Sequence, residues 1–413
     1  MFNLDEELNK CRLAQSSLMR LSNKSRNNLL IKIADNIKAH KEKILAANKI
    51  DIASAKANNI TSAMLDRLTL TESSLNNLIK SVLYIASIDD VIGEIIESRT
   101  LESGCLLNKV RVPIGVIGVI FEARPNVVID IASLCIKTSN AVVLKGGKEA
   151  INTNIALVEI MQEAIKEEVN PDILCLIKSI DREVTNQLIL KKEYIDLLIP
   201  RGGKGLINFV TSNAKIPVIE TGAGNCSLYV HEEAEINMAI NIAINAKYQR
   251  PSVCNAIENI IVDKNIANVF LPKLYEEFSK LNIEMRGDEI SCSIIPILKA
   301  SEEDYYTEYN DYIVAIKVVE NVDEAITFIN EHNTKHSETI VTKNIDVANK
   351  FMDEIDAACI YHNASTRFTD GGCFGLGAEI GISTQKLHAR GPMGLKEITT
   401  YKYKIYGHGE VRK

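Results

Sequence analysis

The sequence lacks several features that would settle its class quickly. It has nine cysteines, an odd number, at positions 11, 105, 135, 175, 226, 254, 292, 359 and 373, and no two are spaced as Cys-x-x-Cys. Neither a disulfide framework nor a zinc site is favoured. The G-x-x-x-x-G-K-[ST] loop is missing, which argues against a P-loop kinase or ATPase. No apolar run reaches membrane-spanning length. The opening residues Met1-Phe2-Asn3-Leu4-Asp5-Glu6-Glu7 are acidic and lack an apolar core segment. A signal peptide is therefore not expected, and the cytoplasm, with reduced thiols, is the expected compartment. There is no excess of basic charge either: 47 Lys and Arg stand against 54 Asp and Glu, a net charge of −7. That balance argues against nucleic acid or an anionic membrane as partner. A small anionic ligand needs only a local group of cations and is not excluded.

What is present is globular. The chain has 413 residues, 46% hydrophobic and 24% charged, too long for one ordinary core, so two or three domains are expected. Residues 4–60 and 64–87 carry helical periodicity, with Leu30, Ile33, Ala34 and Ile37 on one face. Residues 95–113 read as a hairpin around Ser103-Gly104. Short apolar runs then alternate with helical stretches: strands at Val116–Phe121, Ala141–Leu144, Ile173–Ile177, Ile195–Ile199 and Val218–Ile219, helices at Val127–Lys137, Ala150–Val169, 182–192 and 205–213. This predicts a parallel, doubly wound sheet. A second series follows Gly224, with strands at 258–263, 313–319, 338–342 and 357–361 between helices at 234–247, 265–281, 322–331 and 345–354. Residues 368–395 are glycine-rich. The tail Glu397–Tyr406 alternates like an edge strand, which pairs either with another subunit or within its own chain.

Six segments bear on chemistry. Cys254 sits in Gln249-Arg250-Pro251-Ser252-Val253-Cys254-Asn255, at a turn between a helix and the strand-like run from Glu258. A thiol there, following a nucleotide-binding pattern, suggests a covalent acyl-enzyme that exchanges hydride with nicotinamide. Arg201-Gly202-Gly203-Lys204-Gly205 follows a strand and opens a helix, which suits a phosphate or is an ordinary glycine turn. Lys145 and Lys148 end another strand, where two cations suit a phosphorylated ribose or a solvated turn. Phe121-Glu122-Ala123-Arg124-Pro125-Asn126 also follows a strand. Arg124 and Asn126 can donate to a developing oxyanion, although the residues alone favour Asn126 as the N-cap of the next helix. His362-Asn363-Ala364-Ser365-Thr366-Arg367 offers hydroxyls and a guanidinium to an anion, or is simply a polar loop. His332 and His336 read as a solvated helix end, and no metal site is expected.

Longer runs are more specific. Val112-Pro113-Ile114-Gly115 through Phe121-Glu122-Ala123-Arg124-Pro125-Asn126, the Cys254 run, Asn363-Ala364-Ser365-Thr366-Arg367-Phe368 and Gly375–Pro392 together resemble the γ-glutamyl phosphate reductase family, a divergent branch of the aldehyde dehydrogenase superfamily. The resemblance covers essentially the whole chain. It implies an aldehyde dehydrogenase-like α/β fold of two doubly wound domains plus a small oligomerisation hairpin and strand. The division it implies is 1–94 with 114–222 for NADP(H), 223–372 for catalysis, and 95–113 with 385–413 for oligomerisation. The activity implied is NADPH-dependent reduction of L-glutamyl 5-phosphate to glutamate 5-semialdehyde with release of phosphate, through a cysteine thioester, in proline biosynthesis.

By the same resemblance Cys254 is the nucleophile, and Asn126 and Glu220 are catalytic candidates. Glu220 occupies the place of the hydrolytic enzymes' general base. Around it the lysine that usually follows the glycines is replaced by Gly224-Asn225. Lys145, Lys148, Gly202, Gly203, Lys204 and Glu308 would hold NADPH, with Lys148 attracting a 2′-phosphate where an acid would repel it. Arg124, Ser365, Thr366 and Arg367 would bind substrate. A homo-oligomer is expected, and association with a glutamate kinase is conceivable. A hydrolytic, NAD-dependent aldehyde dehydrogenase and a non-catalytic nucleotide-binding subunit are the competing readings. The resemblance offers no role for Cys373.

Overall fold

The computed structural model describes residues 2–376 and 379–412. Gly377 and Ala378, within the 375–392 run quoted above, lie outside the described residues. The chain divides into two compact units, residues 1–220 with 375–381 and 393–413, and residues 221–374 with 382–392.

The first unit opens with helices, broken where polar caps intervene. α1 (Leu4–Met19), α2 (Asn23–Ala39) and α3 (Lys41–Ala57) replace the single helical stretch expected over 4–60. The Ser22 hydroxyl accepts the Ser25 N–H and so starts α2 afresh. α4 (Ser62–Leu68) and α5 (Glu72–Ser87) follow, and α5 is opened by a reciprocal Thr71–Ser74 capping box. The hairpin forms as expected, β1 (Ile95–Thr100) antiparallel to β2 (Leu106–Pro113). The terminal strand Thr399–Tyr406 finds its partner within the chain, antiparallel to β2 from Thr399↔Pro113 to Tyr406↔Leu106. That resolves the choice left open by the sequence.

Next come β3 (Val116–Phe121), α6 (Asn126–Lys137), β4 (Ala141–Gly146), α7 (Ile151–Ile165), β5 (Leu174–Leu176), α8 (Arg182–Leu188), β6 (Leu197–Arg201) and α9 (Lys204–Asn213). The four strands form a parallel sheet in the order β5-β4-β3-β6. β3 and β4 are buried at every residue, because helices cover both faces of a parallel sheet. The predicted strand at Val218–Ile219 reduces to one bridge, Leu198 with Val218.

The second unit is another α/β layer. Its elements are β7 (Cys226–Val230), α10 (Ile236–Tyr248), β8 (Ile257–Asp263), α11 (Lys264–Lys280), β9 (Glu284–Gly287), α12 (Glu289–Ile294), β10 (Leu298–Lys299), α13 (Glu302–Tyr306), β11 (Ile313–Val319), α14 (Val322–His332), β12 (Ser337–Val341), α15 (Ile345–Glu354) and β13 (Cys359–His362). The sheet runs β10-β9-β11-β8-β7-β12-β13, parallel throughout. Side chains alternate across it. Ile260 and Val262 of β8 face a core with Phe270, Leu274 and Phe278. Ile261 between them faces Tyr229, Ile329 and Phe351 on the other side. Residues Ile382–Ser383 and Gly391–Pro392 add a short antiparallel ladder.

His332 and His336 correct an expectation: both are buried. Nδ1 of His332 bonds the Phe328 carbonyl at 2.7 Å, and its ring stacks on Phe328 with centroids 4.0 Å apart. Burial pushes His336 down to about 4, so it is a neutral core histidine.

Candidate active site

In the first unit the chemistry-bearing loops share one edge, the carboxyl ends of β3, β4 and β6. Strand direction alone puts Glu122–Asn126, Lys145–Lys148 and Arg201–Lys204 there, the ligand side of an open parallel sheet. Lys145 is buried, and its Nζ donates to the Gly146 carbonyl at 3.1 Å. Burial lowers its pKa, against the raising influence of Glu149 and Asp181. Lys148 is exposed at the start of a single 3-10 turn.

α9 begins at Lys204 with Gly203 in the N-cap position, and no side chain caps it. A β-carbon on Gly205 would meet nothing within 4 Å. The first-turn N–H groups, with Lys145, Lys148 and Lys204 at the same edge, therefore fit a dinucleotide phosphate. Gly203 itself departs from expectation. Its N–H donates to Oε2 of Glu122 at 2.9 Å, so a carboxylate already takes that donor.

Asn126 does not cap α6. It is the first helical residue, Pro125 stands in the cap position, and no side-chain cap bond forms there. Its Nδ2 donates instead to Oδ2 of Asp130 at 3.2 Å, one turn on. The loop before it is strained: Ala123 has φ +36° and is buried, a conformation concentrated at functional sites. Arg124 is half-buried beside it, and Glu220 is half-buried at the last residue of the unit's first segment.

In the second unit Cys254 is half-buried in the turn that joins α10 to β8. It lies at the amino-terminal edge of the sheet, and the turn is held from several directions. Sγ of Cys226 donates to the Cys254 carbonyl at 3.2 Å. The Thr366 hydroxyl donates to the Asn255 carbonyl at 2.7 Å. Nδ2 of Asn255 donates to the Thr369 carbonyl at 2.8 Å. Gly224 packs on the backbone of Cys254, and its N–H donates to Oε1 of Glu308 at 2.8 Å. Burial raises the Cys226 thiol well above its ordinary value. The Cys226 sulfur lies 3.7 Å from Nδ1 of the neutral His336 imidazole.

The 363–369 loop brings the expected residues together with Cys254 but divides their work. Ser365 is buried and caps a 3-10 turn by accepting the Arg367 N–H. The Thr366 hydroxyl is spent on Asn255. Arg367 is half-buried, and Nε donates to Oε1 of Gln249 at 3.1 Å. Sequence reasoning passed over Gln249, Asn255, Cys226 and Asp130. The first two stand inside the quoted Cys254 run, whose polar residues were the available signal. The other two carry none.

A half-buried cysteine at a turn of one α/β unit, with a glycine-rich strand-to-helix loop of dinucleotide type in another, fits the aldehyde dehydrogenase class. The aldehyde dehydrogenase family model matches residues 3–315. The γ-glutamyl phosphate reductase of Carboxydothermus hydrogenoformans is 49% identical over 99% of this chain and 100% of its own length. That of Dictyoglomus turgidum is 49% identical over 100% of both chains. The crystal structure of γ-glutamyl phosphate reductase from Thermotoga maritima superposes with a TM-score of 0.97, 46% identity and full coverage of both chains. An acetylating aldehyde dehydrogenase from Geobacillus thermoglucosidasius shares the fold at 18% identity and a TM-score of 0.69, over 99% of this chain and 97% of its own. The chain belongs to the aldehyde dehydrogenase family, in its γ-glutamyl phosphate reductase branch. Among the described residues no helix is long and apolar enough to cross a membrane.

Proposed function

We propose that the protein reduces L-glutamyl 5-phosphate to L-glutamate 5-semialdehyde, releasing phosphate, as a step of proline biosynthesis in the cytoplasm. The observation that carries this reading is near-half identity to reductases of that name along the entire chain. Cys254 attacks the acyl carbon as thiolate. The C–S bond forms, the C–O bond breaks, and phosphate leaves with the electron pair. An acyl phosphate is already activated, so little acid catalysis is needed. A reactive thiol, an oxyanion donor and exclusion of water suffice. Lys145, Lys148 and the Gly202-Gly203-Lys204 loop would hold NADPH, with Glu308 on the nicotinamide ribose, and the bound cofactor would supply hydride to the thioester carbonyl. The thiohemiacetal on Cys254 then collapses to aldehyde and thiol. Asn126 is our oxyanion donor, and Arg124, Ser365, Thr366 and Arg367 are our substrate-binding set. Glu220 orients rather than activates water, because a base for water would waste the thioester. The sheet of β1, β2 and the terminal strand, with Tyr401, Tyr403, Ile405 and Tyr406 exposed, is our oligomerisation element. Co-purification tests association with a glutamate kinase.

The test is the reverse assay: pure protein, glutamate 5-semialdehyde, phosphate and NADP⁺, followed by absorbance of the reduced cofactor. Reduction that requires phosphate supports the reductase. Reduction that proceeds without phosphate identifies a hydrolytic aldehyde dehydrogenase. Cys254→Ser should bind NADPH and not turn over.

A further inference from the structure

Two loops are laced together on both sides of Cys254. Gln249, five residues before it, accepts Nε of Arg367 at 3.1 Å. Asn255, one residue after it, donates to the Arg367 carbonyl at 3.4 Å and to the Thr369 carbonyl at 2.8 Å. The 365–369 loop therefore spans the nucleophile, and Arg367 is the residue tied at both ends of that span. We propose that Arg367 is the counter-charge that keeps Cys254 a thiolate, and that Gln249 is the positioning residue that aims the guanidinium at the sulfur. This rests on Cys254 as the nucleophile of the reaction given above.

The electrostatic surroundings support it. Burial lowers the pKa of Arg367, and charge on Cys254 acts against that by favouring the guanidinium. The interaction is reciprocal, so the guanidinium favours the thiolate. Arg250, exposed and on the Cys254 turn, acts against the charge of Arg367, while Asp370 and Cys373 favour it. Burial raises the Cys226 thiol and the Glu338 carboxyl well above their ordinary values and lowers His336 to about 4. The Nε–H bond to Gln249 uses one of the guanidinium's five N–H donors. When the thiolate becomes a thioester its charge is gone, and the same cation faces the departing phosphate.

The test is alkylation of Cys254 by iodoacetamide in the full chain, followed by mass spectrometry of the Cys254 peptide from pH 5 to pH 10. Folding is checked by NADP⁺ binding. Arg367→Gln should slow alkylation about tenfold at pH 7 and move the midpoint of the rate profile up by about one unit. At pH 10 its rate should equal that of the unmodified protein. Gln249→Ala should give a smaller shift in the same direction, and Arg367→Lys should recover part of the loss. An unshifted midpoint in Arg367→Gln overturns the proposal, and so does a rate lowered equally at every pH. A wild-type profile in Gln249→Ala overturns the positioning role. If Arg367→Gln does not fold, the Gln249→Ala profile decides. Alkylation reads the sulfur directly, so loss of this proposal stays distinct from failure of the reductase reading, which turnover of Cys254→Ser would expose.

Discussion

Gly224 is seated directly against the peptide of Cys254: a β-carbon on Gly224 would lie 1.5 Å from the Cys254 carbonyl oxygen and 2.5 Å from its Cα. The obstacle is backbone, so no side-chain rotation relieves it. This accounts for a departure noted in the sequence, the glycine that stands where the hydrolytic relatives' pattern has lysine. The Cys254 turn occupies the space in which such a side chain would begin. Gly224→Ala should therefore push the Cys254 turn outward. We expect kcat to fall at least about a hundredfold, the loss for a misplaced reacting group, with NADP⁺ affinity nearly unchanged. Steady-state kinetics and cofactor titration check this. A fully active Gly224→Ala would mean that the turn adapts freely.

Lys148 and Lys145 stand three residues apart in opposite surroundings. Lys145 is buried, and Lys148 is exposed just beyond the end of β4. Only Lys148 is free to meet a ligand's outer charge without desolvation. Lys148→Glu replaces attraction for a 2′-phosphate with repulsion. We expect the ratio of kcat/KM for NADPH over NADH to fall at least about tenfold, worth about 1.4 kcal/mol. Measuring both cofactors with the same preparation decides it. An unchanged ratio would place 2′-phosphate recognition elsewhere.

Much of the fold was legible because buried parallel strands read as apolar runs. β3, β4, β8 and β11 coincide with their predicted segments within a few residues. β7, between β8 and β12, was passed over because the polar Asn225 and Ser227 break the apolar texture at its start; Asn225 bonds the Tyr305 and His332 carbonyls, and the Ser227 N–H donates to Glu338 of β12. The single helix predicted over 4–60 was two elements too few, since breaks at Ser22 and His40 interrupt turns that periodicity runs straight through. Cys254 and Arg367 were found from long motifs. The side chains that hold them were not, because Gln249 and Asn255 act through bonds between segments more than a hundred residues apart. Spacing within a segment carries no trace of such bonds.

Lys247 and Glu258 form a fully buried ion pair, Nζ to Oε2 2.5 Å. Burial pushes Glu258 up to about 8 and lowers Lys247, while each partner's charge pulls the other back toward its ionised form. Oε1 of Glu258 has no hydrogen-bond partner among the described residues. Removing one member strands the other. Lys247→Met or Glu258→Leu alone should cost about 3–5 kcal/mol. The double variant should recover most of that, since two apolar groups leave nothing unpaired. Urea unfolding of the three variants gives the coupling. Additive losses would show that the two groups do not act as a pair.

Asp130 gives the first unit a pH dependence of definite sign. Burial pushes its carboxyl from 3.8 up to about 6, with Glu379 adding to the rise and Asn126 and Arg201 opposing it. The folded chain thus holds this proton more tightly than the unfolded chain does. Its contribution to stability is fully present below about pH 4, declines as pH rises, and is lost by the time pH passes the folded value. Asp130→Asn keeps an oxygen for the Asn126 amide and removes the ionisation. That variant should melt above the unmodified protein at pH 7–8, and the gap should close as pH falls toward 4. Melting temperatures across that range test it. A gap that stays constant would mean that Asp130 does not titrate there, and a gap that widens at low pH would reverse the sign.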